Sequence, residues 1–235
     1  MAIKTLLFDL DGTLLPMNEK EFIKGYFGML CAKLAVFGYK PNEVVDAIWY
    51  GTEGMYKNDG SKLNETVFWE RFAEVFGQEV LEKKYLFDEF YINDFPKAKQ
   101  FCGYTPYARE IIDLAKEKGL RVICATNPIF PSLATEHRMT FAGISKDDFE
   151  YFTHYENSSY CKPNLKYYED IMVKCGCNPT ECLMVGNDAT EDMAAAELGM
   201  QVFLLTDCLI NKHNVDIKAL PQGDFETLKK IIKSL

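Results

Sequence analysis

Short apolar runs alternate with helical patterns along this chain, and that alternation constrains the fold more than any other feature. Ile3–Phe8, Leu120–Ala125, Cys182–Val185 and Gln201–Leu205 have the length and continuity of buried strands, and Tyr151–Tyr155 is a weaker candidate. Helical spacing precedes the second and fourth runs, at Ala108–Lys118 and Asp192–Leu198, with Gly119 and Gly199 placed to end those helices. Strands apolar on both faces and separated by helices predict an α/β architecture, a parallel sheet covered on both sides.

The stretch between the first two runs is too long for one crossover, and its pattern is helical throughout. Phe22, Ile23, Tyr26, Phe27, Leu30, Cys31 and Leu34 form one stripe; Val67, Phe68, Phe72 and Phe76 form another, and both tryptophans, Trp49 and Trp69, lie in this segment. The expected organisation is a core of residues 1–16 and 96–235, interrupted by a small helical domain over 17–95 whose aromatics build a core of its own. Pro16 and Phe95-Pro96 bound that insertion.

Charge and cysteine usage narrow the partners. Lysine plus arginine number 26 against 35 aspartate plus glutamate, a net charge of −9, which is the wrong sign for a protein that binds nucleic acid. An anionic substrate would have to be met by a local cationic device. The eight cysteines are scattered, and their closest grouping, Cys175, Cys177 and Cys182, lacks zinc-ligand spacing, so they read as reduced thiols packed as small hydrophobes. Asp9 and Asp11 interrupt what would be a signal-peptide core, and no apolar run has membrane-spanning length; the expectation is a cytoplasmic protein with no membrane partner. Two Asn-X-Ser/Thr triplets, at Asn64 and Asn157, are chance matches in that setting. Oligomeric state is not legible.

Chemistry gathers where the strand runs end. In open parallel sheets ligands bind beyond the carboxyl ends of the strands. The first run ends in Phe8-Asp-Leu-Asp-Gly-Thr13, where Asp9 and Asp11 emerge on one side. The second ends in Ala125-Thr126-Asn127, whose hydroxyl, amide and backbone N–H groups suit phosphoryl oxygens. Lys162 stands in Cys161-Lys-Pro163, with Pro163 placed to open a helix through Tyr168 and Met172, so that the lysine projects a fixed charge at the sheet's edge. The last group is Gly186-Asn-Asp-Ala-Thr-Glu-Asp192, with Asp188 at a strand end and Asp192 four residues on, in the first turn of the next helix, where both can face one site. Each feature alone has an ordinary reading: a solvated turn, a cap before Pro128, a surface lysine, or acids (Glu191 among them) complementing a helix dipole.

Together DLDGTL, ATN, CKP and GNDATED resemble, in order and spacing, the haloacid dehalogenase superfamily of aspartate-dependent phosphohydrolases, from the first strand to about Gly199. The resemblance implies a Rossmann-like three-layer parallel sheet of strand order 5-4-1-2-3, with the helical insertion as a C1-type cap. It implies Asp9 as nucleophile, Asp11 as proton donor and acceptor, and Lys162 as the neutralising cation. Thr126 and Asn127 would hold the phosphoryl group. Mg²⁺ would be bound by the Asp9 carboxylate, the Asp11 backbone carbonyl and Asp188, with Asp192 behind or at the edge of the metal. Asn187 is an added residue in that pattern. The implied activity is hydrolysis of a small soluble phosphate monoester. A phosphomutase needs the same core, and a non-catalytic phosphate- or partner-binding module would have lost one of these residues. A dehalogenase has no use for Asp11 or a metal, and a phosphonate-cleaving enzyme would need a cap lysine that does not stand out. Specificity is expected in the cap, where Gly51, Gly54 and Gly60 with Tyr56, Lys57 and Asn58 could form a loop near the site; a solvated inter-helix loop is the alternative. His137, His154 and His213 match no motif.

Overall fold

The computed structural model describes residues 2–235. Four of its strands coincide with the strong apolar runs: β1 Thr5–Phe8, β2 Arg121–Cys124, β4 Cys182–Gly186 and β5 Gln201–Leu205. The weaker candidate is present as a two-residue strand, β3 Tyr151–Phe152. All pair in parallel, in the order β3-β2-β1-β4-β5-β6, which is the expected order read from its other edge. The added edge strand β6, Gln222–Gly223, has no apolar pattern that could announce it. It forms because the chain after Pro221 runs alongside β5, whose Leu204 N–H donates to the Pro221 carbonyl at 2.9 Å.

β1 lies between β2 and β4 and is buried along its whole length, as a strand covered on both faces must be. Its register sets Phe8 opposite Cys124 on one side and Val185 on the other. Three strands therefore end side by side, and the residues that follow them, from Asp9, Ala125 and Asn187, share one edge of the sheet.

Between β1 and β2 run α1 Glu19–Ala35, α2 Pro41–Tyr56, α3 Asn64–Phe76 and α4 Lys84–Asn93, followed by a 3₁₀ segment at Phe95–Phe101. The chain leaves the sheet side and returns to it at one place: Met17 bridges Cys102, and the Gly103 N–H donates to the Pro16 carbonyl at 2.7 Å. Gly51 and Gly54 do not make a loop. Both lie inside α2, facing α3, where a Cβ would overlap Phe68 at one and Arg71 at the other. The missing side chains let the two helices approach closely, and that packing holds helical a segment whose glycines suggested a turn.

The helical layer also lacks the separate core expected of it. Its aromatics form one contiguous apolar cluster with Leu6, Phe8 and Leu14 of the sheet region. Phe130, in the loop after β2, joins the two: its ring lies 5.4 Å from Tyr26 and 6.4 Å from both Phe22 and Phe95. The remaining helices are α5 Tyr107–Glu117, α6 Ser132–Phe141, α7 Leu165–Cys175 and α8 Phe225–Ser234. Among the described residues no helix is long and apolar enough to cross a membrane, and all eight cysteines are free thiols.

Candidate active site

Asp9 is the first residue past β1, and its backbone remains in the sheet ladder through a 2.9 Å bond from its N–H to the Val185 carbonyl. Its carboxylate is held from two sides. Lys162 Nζ donates to Oδ1 at 2.9 Å, and the Thr13 hydroxyl lies 2.9 Å from Oδ2 and 3.0 Å from Asn187 Oδ1, sharing its proton between them. Asp9, Thr13 and Asn187 are all buried. Asn187 has a visible task here: its amide also donates to the Cys208 carbonyl at 2.7 Å, so it ties the loop after β4 to the loop after β1 and to the chain beyond β5.

Gly12 makes that tie possible. Its φ of +84° lies in the left-handed region, and a Cβ there would overlap the Asn187 amide. We expect Gly12→Ala to cost about 2–4 kcal/mol, combining backbone strain with displacement of a buried hydrogen-bonded side chain. Denaturant unfolding checks it; a loss under about 0.5 kcal/mol, the range of an indifferent surface change, would remove the steric argument.

Lys162 is not the edge lysine expected from sequence. The helix opens at Leu165 with Asn164 as its cap, two residues beyond Pro163, because the Asn164 side chain accepts the Lys166 N–H. Lys162 is therefore in the preceding turn and points inward, 1% exposed, with Nζ 2.6 Å from Asp192 Oδ1 as well as 2.9 Å from Asp9. Burial alone would discharge an ammonium, but Asp192 and Asp9 reverse this and hold the lysine charged, well above its ordinary range. Asp192 differs from expectation in the same way. It stands at the cap of a short 3₁₀ segment, Met193–Leu198, and its second oxygen accepts the Asp188 N–H at 2.9 Å. Both Asp192 oxygens are thus engaged in holding Lys162 and the Asp188 backbone.

Asp188 Oδ1 accepts the N–H groups of Thr190 and Glu191, each at 2.8 Å, which fixes the carboxylate at the mouth of the site. Asp11 lies two residues from Asp9. Its Oδ2 pairs with the Arg138 guanidinium, while Oδ1 is buried with no hydrogen-bond partner among the described residues. Burial pushes the Asp11 carboxyl up to about 6; Arg138 opposes the rise and the neighbouring Asp9 adds to it.

Thr126 is buried, and its carbonyl accepts the hydroxyls of Thr153 at 2.6 Å and Tyr167 at 2.8 Å, anchoring the end of β2. Asn127 is more occupied than expected. Its amide donates to Glu191 Oε2 at 2.9 Å and to the Tyr56 hydroxyl at 3.2 Å, and its Oδ1 accepts the Lys162 N–H at 3.3 Å. A cavity of about 180 Å³ opens over these groups, lined by Asp9, Asp11, Thr126, Asn127, Asp188, Glu191 and Asp192, and closed on the helical side by Phe22, Ile23 and Tyr56. Tyr56 thus reaches the site from the last turn of α2, whereas Lys57 pairs outside with Glu53 and Asn58 is buried, bracing its own loop through Asn64.

Sequence reasoning missed Arg138 and set Glu191 aside. Arg138 is 1% exposed on α6, beside the buried Ala134, Thr135 and Met139, with its guanidinium 4.5 Å above the Phe130 ring. A charge on the apolar face of a helix was the available signal; its partner Asp11 lies 127 positions away. Glu191 does more than complement a helix end: burial raises its carboxyl to about 7, and it faces the cavity against Asn127.

Comparison with known proteins places this geometry. The sequence model of the haloacid dehalogenase-like hydrolases matches residues 3–199. A glyceraldehyde 3-phosphate phosphatase of Methanothermobacter thermautotrophicus is 29% identical over 130 residues, which is 52% of this chain and 55% of that protein. The chain thus spans about half the length of that curated relative. Among solved structures, a haloacid dehalogenase-type phosphatase from Thermococcus onnurineus aligns over 98% of both chains, with a TM-score of 0.60 and 18% identity. A 2-haloacid dehalogenase from Pseudomonas syringae pv. tomato aligns over 99% of both, with a TM-score of 0.66 and 16% identity. At such identities the structures establish a shared fold, and the sequence match over most of the chain establishes more: this protein is a hydrolase of the haloacid dehalogenase-like family.

Proposed function

We propose that this hydrolase is a Mg²⁺-dependent phosphatase of small phosphate monoesters, working through an aspartyl phosphate on Asp9. The observation that carries the reading is the Asp9–Lys162–Asp192 array with Asp11 beside it. A buried carboxylate is fixed in place by a cation, and next to it stands a carboxyl poised near neutrality with one unpartnered oxygen. The relative named as a glyceraldehyde 3-phosphate phosphatase supports a small phosphorylated substrate.

The donor set fits a hard divalent cation. The cavity wall carries Asp9, Asp11, Asp188, Asp192 and Glu191. Among the described residues no three His, Cys, Asp or Glu side chains form a ready metal cluster. The Asp9 and Asp188 carboxylates with the Asp11 carbonyl make a sparser set, which suits Mg²⁺ because that ion keeps several of its waters. Asp188 Oδ2 has no protein hydrogen bond among the described residues, so it is available for this. Bound there, Mg²⁺ would lessen the repulsion between the Asp9 carboxylate and a phosphate dianion.

The chain's own groups then divide the work. Asp9 attacks phosphorus as the ester P–O bond breaks, and the bond's electron pair leaves with the alkoxide. Asp11 delivers its proton to that oxygen; Arg138 grips Oδ2, so the unpartnered Oδ1 is the atom that carries the proton. Water next attacks the aspartyl phosphate and gives its proton to Asp11, releasing inorganic phosphate and restoring Asp9. A carboxyl near 6 suits a group that must both give and take a proton close to neutral pH. The helices of residues 17–95 act as the cap, with Tyr56 meeting the substrate side of the cavity.

A phosphate-release screen with and without metal tests the reading. Turnover is expected with Mg²⁺, falls to background on chelation, and returns when Mg²⁺ is restored. Turnover indifferent to chelation, or none across sugar phosphates, nucleotides and simple esters, would overturn it.

A further inference from the structure

A second cavity, of about 80 Å³, lies on the helical side of the site, and its walls differ from the first in kind. Among the described residues no charged side chain lines it. Its surfaces are largely aromatic, with Phe27, Trp49, Phe68, Trp69, Phe87 and Tyr155 among them, and the helical layer meets the loop after β2 there. Two of its buried hydroxyls, Tyr26 and Tyr91, are hydrogen-bonded to each other at 2.9 Å. Ile23, Ile129 and Phe130 line both cavities, so the aromatic chamber adjoins the phosphate site directly. One face of α2 follows the same line, with Thr52 lining the chamber and Tyr56, one turn on, lining the site.

Among the described residues the site offers a second anionic group no cation that lacks a partner. Of its basic residues, Lys162 is buried between two carboxylates, Arg138 is taken by Asp11, and Lys212 at the mouth is paired with Glu19 at 2.8 Å. A substrate bearing a carboxylate or a further phosphate would place that charge among Glu19, Glu191 and the aspartates, where every cation among the described residues is already paired.

We propose that the aromatic chamber receives the leaving group, and that the substrate is the phosphate monoester of an uncharged, apolar alcohol, aryl or compact alkyl. This rests on the phosphatase reading and names the substrate class for it. The chamber's volume of about 80 Å³ is about half that of an apolar cavity that binds benzene, about 150 Å³, so it takes a short branched chain by itself and a ring only where the ring extends into the adjoining cavity of about 180 Å³. Apolar walls would select such a group by desolvation, and the aromatic rings give it flat surfaces to pack against.

The test compares benzyl phosphate with ethyl phosphate, both primary alkyl esters, and adds 2-phosphoglycolate and glyceraldehyde 3-phosphate as charged and polar neutral controls, all with Mg²⁺. The specificity constant for benzyl phosphate is expected to exceed that for ethyl phosphate, and each control, by at least about 10²-fold, because several buried carbons separate them. Thr52→Phe, which puts a ring into the chamber, is expected to erase the benzyl-over-ethyl preference. A binding readout needs no catalysis. Both tryptophans of the chain, Trp49 and Trp69, line the chamber, so 4-nitrobenzyl alcohol should quench their fluorescence saturably in wild type and in Asp9→Asn, and only weakly in Thr52→Phe. Phosphate release with phosphoglycolate preferred, or with benzyl and ethyl esters equal, overturns the substrate class and leaves the phosphatase reading standing. Release from no ester at all, with quenching still saturable, overturns the phosphatase reading and the substrate assignment with it.

Discussion

Asp9→Asn is expected to lower phosphate release by on the order of 10⁵-fold or more, the scale seen when a catalytic nucleophile is removed. Asparagine keeps the shape and can still accept from Thr13, so the fold should persist, but it cannot attack phosphorus. Steady-state phosphate release measures the loss. A rapid quench with radiolabelled substrate gives the complementary result: wild type retains protein-bound label that hydroxylamine removes, as an acyl phosphate requires, and the variant retains none. Activity within tenfold of wild type, or label persisting in the variant, would place the nucleophile elsewhere.

Lys162→Met carries the second large effect, and it acts on both stability and turnover. The wild-type lysine is 1% exposed and serves Asp9 and Asp192 at once. Removing it leaves two buried carboxylates without a cation, and breaking a buried pair in this way costs about 3–5 kcal/mol. Turnover should fall by about 10²–10³-fold or more through the lost charge stabilisation alone.

The stability loss should depend on pH in a definite direction. Burial raises the Asp192 carboxyl and Lys162 is what opposes that rise, so in the variant the folded-state carboxyl lies further above its unfolded value of about 3.9. Between those two values the folded protein binds more protons than the unfolded chain, so the variant gains stability as pH falls and loses it as pH rises. Denaturation of both proteins from about pH 9 down to about pH 6 should show the gap between them narrowing until about 7, where the wild-type carboxyl takes up its own proton and the two slopes become equal. A gap that is constant with pH, or under about 1 kcal/mol, would mean that Lys162 does not neutralise this site.

Both variants concern residues that were visible in the sequence, and the reason is local. Asp9, Asp188 and Thr126 follow apolar runs whose length and composition alone mark where the strands end. In a parallel sheet those ends are brought side by side by pairing, with Phe8 set opposite Cys124 and Val185. The parallel architecture, the site's position at the carboxyl edge of β1 and the order of the motifs all follow from short-range pattern combined with one rule of sheet geometry.

What the sequence left undecided depends on groups far apart in the chain. Whether Lys162 faces solvent or the interior turns on Asp9, 153 positions away, and Asp192, 30 away, which together offset the cost of burying its charge. Arg138 is an unremarked helical arginine until α6 packs against α4 and the segment Phe95–Phe101 and its guanidinium meets Asp11. Gly51 and Gly54 resemble turn residues until α3 lies against them, and the aromatic stripes resemble a private core until Phe130 joins them to the sheet. The sequence by itself determined the parallel α/β architecture, the four main strands and the edge at which Asp9, Asp11 and Asp188 gather, because these rest on period and spacing. Only the tertiary structure decided which charges are paired, which glycines serve packing, and that an aromatic chamber stands beside the candidate site, because burial and charge pairing are properties of neighbours that the chain brings together only when folded.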